Sequence, residues 1–285
     1  MTLVVDAHHH FWDPTRRDYY WMSDELDRIR RPFGPADIKP LLQETGVDRT
    51  VVVQTIPSVE ETREFLVVAE EHDFVAGVVG WVDLTEASVA GVIAGLRAGP
   101  GGRHLVGLRH QAHDEPDPSW LLRKEVVRGI EAAGSAGLVY DLLVRARELP
   151  AALELVRRLP DVRFVLDHIA KPRIASGPVD EEWERAMSPF GDCANVSCKL
   201  SGMVTEASWT GWTPDDLKPY VQRSLNWFGA ERCMFGSDWP VCLMAAHYKE
   251  VVDALRFALS ELGEADRDAV FGGNAIRTYG LSPAG

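Results

Sequence analysis

Residues 4–13 read VVDAHHHFWD, three consecutive histidines directly behind a short apolar run. Side chains alternate along a strand, so His8 and His10 share one face and His9 takes the other. Two imidazoles on one face are half of a nitrogen-rich metal site. Further along the chain, His168 in RFVLDHI and Asp238 in RCMFGSDW are the candidates for the remaining half. Three imidazoles and one carboxylate suit Zn²⁺ with one position open for water. Within that set Asp238 and His168 are the catalytic candidates. An H-x-H pair alone is as often a packing feature, so the case rests on elements that could bring the four together.

Those elements are legible as eight short β-branched runs at 3–10, 50–55, 74–83, 105–110, 137–144, 163–169, 195–202 and 232–239. They are near-continuously apolar rather than alternating, as strands buried on both faces of a parallel sheet are. Amphipathic helical patterns separate them. Ser58 and Glu61 have capping-box spacing before Thr62, Phe65, Leu66 and Ala69. Tyr248, Val251, Val252, Leu255, Leu259 and Leu262 make a similar stripe. Eight strand–helix units in one chain predict an α/β fold of the (β/α)8 TIM-barrel type, as a single domain over residues 1–285. A doubly wound open sheet is the alternative, but the first strand–helix turn has no Gly-rich phosphate fingerprint.

Polar residues gather at the carboxyl ends of all eight runs: His8 and His10, Gln54, Asp83, Arg109 and His110, Asp141, Asp167 and His168, Lys199, Asp238. In a barrel these ends open onto one face, where chemistry sits. Gln54, Arg109, His110, Asp141 and Lys199 are therefore candidate substrate contacts. Lys199 and Ser201 share a face; a strand-end ion pair is the competing role for Lys199. Asp167 alternates with His168 and is expected to point away from the lumen, and His9 to pack. The long segment 11–35 after the first strand reads as a lid, with 201–216 as a second candidate. Trp12, Trp21, Trp209 and Trp212 either wall a pocket or pack loops to the barrel, and Trp21 is taken as a substrate contact. His113 is placed in the loop after the fourth strand, while His72, His104 and His247 carry no assigned role.

Composition narrows the partners. Of 285 residues, 46% are hydrophobic and 26% charged, which is globular, and the formal charge of −13 comes with no basic stripe. That argues against nucleic acid or an anionic membrane and for a small-molecule substrate. Cys193, Cys198, Cys233 and Cys242 form no C-x-x-C pair, no secretion signal or membrane-length apolar run is present, and a cytoplasmic location is expected.

The segments VDAHHHFWD, GLRH, VLDHIAKP, CKLSG and MFGSDWPV, with FGGNAIRTYGL near the end, resemble the metal-dependent hydrolase branch of the amidohydrolase superfamily. Within that branch they are most similar to the sugar-lactone hydrolases. The resemblance implies a barrel with His8, His10, His168 and Asp238 at the site, Asp238 taking a proton from water and passing it to the leaving group. It implies one divalent metal, Zn²⁺ by donor type, or cationic side chains in its place. Arg109, His110 and Asp141 stand where many members carry the extra ligands of a two-metal centre, so one metal is expected. The implied reaction is hydrolysis of an aldonolactone, of fucono-, rhamnono- or galactono- type. A carboxylated lactone gripped by Arg109 and Lys199, a metal-dependent decarboxylation and a non-catalytic sugar-acid binder are the alternatives. No G-x-S-x-G elbow suggests a covalent nucleophile.

Overall fold

The computed structural model describes residues 3–177 and 179–282; the outermost residues of the expected 1–285 domain lie outside that range. The β-branched runs become β1 (Val5–His9), β2 (Arg49–Val53), β3 (Val75–Gly80), β4 (Leu105–His110), β5 (Val139–Leu142), β6 (Phe164–Leu166), β7 (Val196–Leu200) and β8 (Cys233–Phe235). All pair in parallel, in the order β1 to β8. Between β1 and β8 the seam is closed by a parallel bridge of His9 with Trp239. There the His10 N–H donates to the Trp239 carbonyl at 2.7 Å, and the Asp238 N–H to the His8 carbonyl at 2.8 Å. The result is a (β/α)8 barrel.

Only β4 coincides with its apolar run; the other strands are shorter, because the run ends turn out of the ladder into the loops of the mouth. Residues of both strand faces are buried. Val5, Ala7, Val51, Val53, Val79, Val139, Val165 and Met234 fill the interior, where Ala275, Tyr279 and Leu281 from the C-terminal segment join them. The outer faces pack against α1 (Pro35–Thr45), α2 (Val59–Glu71), α3 (Val89–Ala98), α4 (Lys124–Ser135), α5 (Leu149–Arg158) and α6 (Glu181–Met187). They are followed by α7 (Met203–Glu206), α8 (Pro214–Phe228) and α9 (Tyr248–Ala258). The α9 stripe Tyr248, Val251, Val252 and Leu255 is buried as its spacing requires; truncating such a leucine to alanine costs about 2–5 kcal/mol.

At the start of α2 only half of the expected capping box forms. The Ser58 hydroxyl accepts from the Glu61 N–H at 3.1 Å. The Glu61 carboxylate does not return to Ser58; it accepts from the Thr55 N–H at 2.7 Å and the Ile56 N–H at 3.2 Å. A helix cap has been diverted to hold the end of β2 at the mouth.

Segment 11–35 is also more ordered than a free lid. It contains a 3-10 helix at Asp24–Ile29 and an antiparallel bridge of Trp12 with Phe33. The Trp12 indole N–H donates to the carbonyls of Ile29 and Arg31. Trp12 thus packs the loop onto the barrel, and Trp21, held by a 3.0 Å bond from its indole N–H to the Thr55 carbonyl, faces the cavity.

Candidate active site

At the carboxyl end of the barrel lies a cavity of about 360 Å³. His10, His168 and Asp238 are in its lining, with His8 directly beneath and fully buried. The Nε2 atoms of His8 and His10 are 3.2 Å apart. Asp238 Oδ1 lies 3.4 Å from His10 Nε2, 3.8 Å from His8 Nε2 and 3.9 Å from His168 Nε2. Ligands at about 2.0–2.2 Å from a tetrahedral Zn²⁺ are about 3.3 Å apart. His8, His10 and Asp238 offer ligand atoms all within 4.8 Å of one another, room for one divalent cation, and His8, Asp167 and His168 form a second such group.

The other ring nitrogens fit the same role. His10 Nδ1 donates to the Val53 carbonyl at 2.8 Å, and His168 Nδ1 meets the Ser201 hydroxyl at 2.9 Å. His8 Nδ1 is 3.3 Å from Asp167 Oδ1 and 3.1 Å from Lys199 Nζ. His8 Nε2 presents a lone pair to the centre in the tautomer that directs its Nδ1 proton to Asp167, and loses it in the tautomer whose Nδ1 accepts from Lys199. Metal-binding imidazoles commonly take their orientation from such outer partners. Burial, followed by the Lys199, His10 and Arg109 charges, holds His8 well below the usual imidazole range. Burial and the neighbouring His8 do the same to His168. Both rings are therefore neutral at pH 7, as ligation needs. Arg109 Nη1 stands 3.3 Å from His8 Nε2, so guanidinium and cation compete for one lone pair.

The backbone is strained where the site is built. His168, Ile169, Ala170 and Lys171 all have φ between 47° and 57°, and Asp238 has φ 57°. Left-handed backbone costs an ordinary residue roughly 1–2 kcal/mol, and here it turns His168 inward at the end of β6. Two glycines make room. A Cβ on Gly202, itself at φ +64°, would sit 2.6 Å from His168 Nδ1, and one on Gly236 would sit 2.7 Å from the His8 Cβ.

Several sequence expectations are corrected by this geometry. Asp167 does not turn away: it is fully buried against the site, 2.9 Å from Lys199 Nζ and 3.1 Å from Arg109 Nη1. The cause is that β6 ends at Leu166, so strand alternation no longer applies at Asp167 and His168. Burial alone would raise Asp167, but Lys199 and Arg109 hold it down at about 2. Lys199 is itself enclosed, 2.6 Å from Asp141 Oδ2, and Asp141 also accepts from the Tyr279 hydroxyl at 2.9 Å. Burial pushes Asp141 above the usual carboxylate range. Lys199 and Asp141 form the ionic floor beneath the cavity and do not line it. Gln54, also buried, accepts from the Arg109 guanidinium. His110, next to inward-facing Arg109, points to the opposite face: it accepts from the Trp81 indole at 3.0 Å, donates to Glu115 at 2.8 Å and stacks on Trp120. Ser201 meets His168 instead of the cavity. His9 packs between Phe11 and Trp239.

Of the expected contacts, Arg109 and Trp21 line the cavity, as do His113 and Trp209. Trp212 does not; its indole N–H donates to the Ala245 carbonyl. Sequence reasoning missed Thr55, Gln111, Asp114, Arg145, Lys171, Thr205 and Glu206, which supply much of the polar wall. Their signal was weak, one to six residues beyond a strand end, where loop conformation decides direction.

The amidohydrolase family model matches residues 5–281. An L-fucono-1,5-lactonase of Burkholderia ambifaria is 45% identical, covering 100% of this chain and 98% of its own length. An L-fucono-1,5-lactonase of Burkholderia multivorans is 37% identical over 98% of this chain and 96% of its own. Among solved structures, an amidohydrolase from Burkholderia multivorans with bound zinc superposes with a TM-score of 0.93 at 34% identity, covering 98% of this chain and 100% of that one. With the family pattern running from β1 into the C-terminal segment, and relatives this similar over nearly the whole length, the chain belongs to the amidohydrolase family.

Proposed function

We propose that this protein is a lactonase that hydrolyses a sugar lactone, an aldonolactone with a 1,5-ring such as L-fuconolactone, to the free sugar acid. The observation that carries this reading is the convergence of three imidazoles on Asp238 at the base of a polar, tryptophan-walled cavity. The names of the two Burkholderia relatives support the ring type. A divalent cation, Zn²⁺ by donor chemistry, would be held by His8, His10, His168 and Asp238, and would supply Lewis acidity toward the carbonyl oxygen and a more acidic water.

Asp238 accepts a proton from the attacking water as its oxygen bonds to the carbonyl carbon. When the tetrahedral adduct collapses, the ring C–O bond breaks and Asp238 returns that proton to the departing ring oxygen. His168, with Nδ1 occupied by Ser201, keeps its orientation through both steps. Trp21 and Trp209 offer apolar faces to the C–H side of the sugar ring, while the polar wall meets its hydroxyls. Carboxylated lactones fit less well, because Lys199, which would grip the carboxylate, is saturated by Asp141 and Asp167. The four cysteines, free and buried, fit the reducing cytoplasm that belongs to this reading.

A pH-indicator screen of aldono-1,4- and 1,5-lactones, with and without chelator, tests reaction, ring and metal together. Acid release on a 1,5-aldonolactone is expected, with Asp238→Asn slower by about 10²–10⁴ or more. Turnover untouched in that variant removes Asp238 as the base; no turnover of any aldonolactone overturns the reading.

A further inference from the structure

Three successive mouth loops meet at one carboxylate. Glu206, in α7 after β7, has Oε1 at 2.9 Å from Lys171 Nζ in the loop after β6. Its Oε2 lies 3.4 Å from Arg145 Nη1 in the loop after β5. Lys171 and Glu206 keep only 15% and 13% of their side-chain surface exposed, and all three residues line the cavity that holds His168 and Asp238. We propose that the Lys171–Glu206 pair is a specificity clamp that reads one ring hydroxyl of the lactone. The proposal rests on the sugar-lactone reading above and names the residues that recognise the sugar.

The chemistry of a hydroxyl is one donor and two lone pairs. Lys171 spends one of its three N–H donors on Glu206, and Glu206 keeps unused lone pairs on both oxygens. A ring hydroxyl placed against the pair accepts from the ammonium and donates to the carboxylate, two charge-assisted bonds on one group. Arg145 holds the other Glu206 oxygen at a longer 3.4 Å, and Arg109 does not offer this. Arg109 has its N–H groups committed to Gln54, Asp167 and His8.

The backbone points the same way. Lys171 is the last residue of the left-handed run that begins at His168. Four such residues in a row persist only where their surroundings over-determine them. The turn sets a metal-ligating imidazole at one end and the clamp ammonium at the other, so the lactone carbonyl and one hydroxyl are registered by a single rigid segment. Burial would raise the Glu206 carboxyl, but Lys171 and Arg145 outweigh it, so it is ionised and an acceptor throughout neutral pH.

The test is kcat/KM for an aldono-1,5-lactone against unsubstituted δ-valerolactone, in wild type, Lys171→Met and Glu206→Gln. Removing a bond to a charged partner costs about ten- to a hundredfold in the hydroxylated-to-unsubstituted ratio, and this ratio is expected to fall by that much in both variants, chiefly through KM. Thermal unfolding of each variant checks that it is folded, and binding of the aldonate product is a readout separate from turnover, with weaker aldonate binding expected. If the pair only ties loops together, both substrates lose equally and the ratio stays within twofold (about), which overturns the clamp while leaving the lactonase reading intact. A wild type inactive on every aldonolactone overturns both.

Discussion

The Lys199 ammonium is shared by two buried carboxylates, 2.6 Å from Asp141 Oδ2 and 2.9 Å from Asp167 Oδ1. Arg109 supplies the second cation, and His8 Nδ1 sits 3.1 Å from Lys199 Nζ. The floor of the cavity is thus an ion network that also fixes the His8 ring. Breaking such a network by removing one partner strands the others, at a cost of about 3–5 kcal/mol. Lys199→Met is expected to lose that much in urea unfolding, and a companion Asp141→Asn to recover part of it. A loss under about 1 kcal/mol would show that the network is not needed for stability.

Gly202 is the second sensitive point. At φ +64°, with His168 Nδ1 2.6 Å from any Cβ, it has neither the conformation nor the space for alanine. Gly202→Ala is expected to cost about 1–2 kcal/mol in stability from the backbone alone. It should also lower kcat on the lactone, because the methyl displaces a ligand ring. Gly263→Ala, where a Cβ meets nothing within 4 Å, is the control.

Zinc binding can be read without turnover. One Zn²⁺ per chain is expected by elemental analysis after dialysis, with a rise in Tm through preferential binding to the folded state. His10→Ala and Asp238→Asn each alter one of the proposed donors and should abolish most of that rise. An unchanged Tm shift in both would place the ion elsewhere.

Acid stability carries a signature of Glu206. Its folded pKa lies below the ordinary glutamate value of 4.5, because Lys171 and Arg145 overcome the upward push of burial. A depressed folded pKa contributes stability that is present above about 4.5 and is lost as pH falls through the folded value. Wild type should therefore unfold more steeply with acid below pH 4.5 than Glu206→Gln does, as followed by urea midpoints along a pH series. Parallel curves would mean that the ion pair is screened.

Much of the architecture was legible because it follows from local chemistry. Continuous β-branched runs require strands buried on both faces, and eight of them with intervening helices leave few closures other than a barrel. The polar ends of those runs marked the mouth, and His8, His10, His168 and Asp238 were visible as donors of the right type. Alternation correctly separated His10 from His9, although β1 carries a register shift between Asp6 and His9 that brings His8 to the same side as Val5 and Ala7.

The same alternation failed at Asp167 and was not enough at Lys199, for one physical reason each. Past Leu166 the chain leaves the strand for a left-handed turn, so face parity no longer predicts direction, and Asp167 enters the ionic floor. Lys199 does face the lumen, but depth along the barrel axis is a property of the closed cylinder: acids from β5 and the β6 end enclose it before any substrate can. Likewise Lys171 and Arg145 lie in loops, and Glu206 in the single-turn helix α7, whose conformations no periodicity encodes. Residue type and strand parity by themselves determined the fold and marked the candidate donors. Only the packed tertiary structure decided which charges neutralise one another below the cavity and which remain to meet a ligand, because that division depends on distances between loops far apart in the chain.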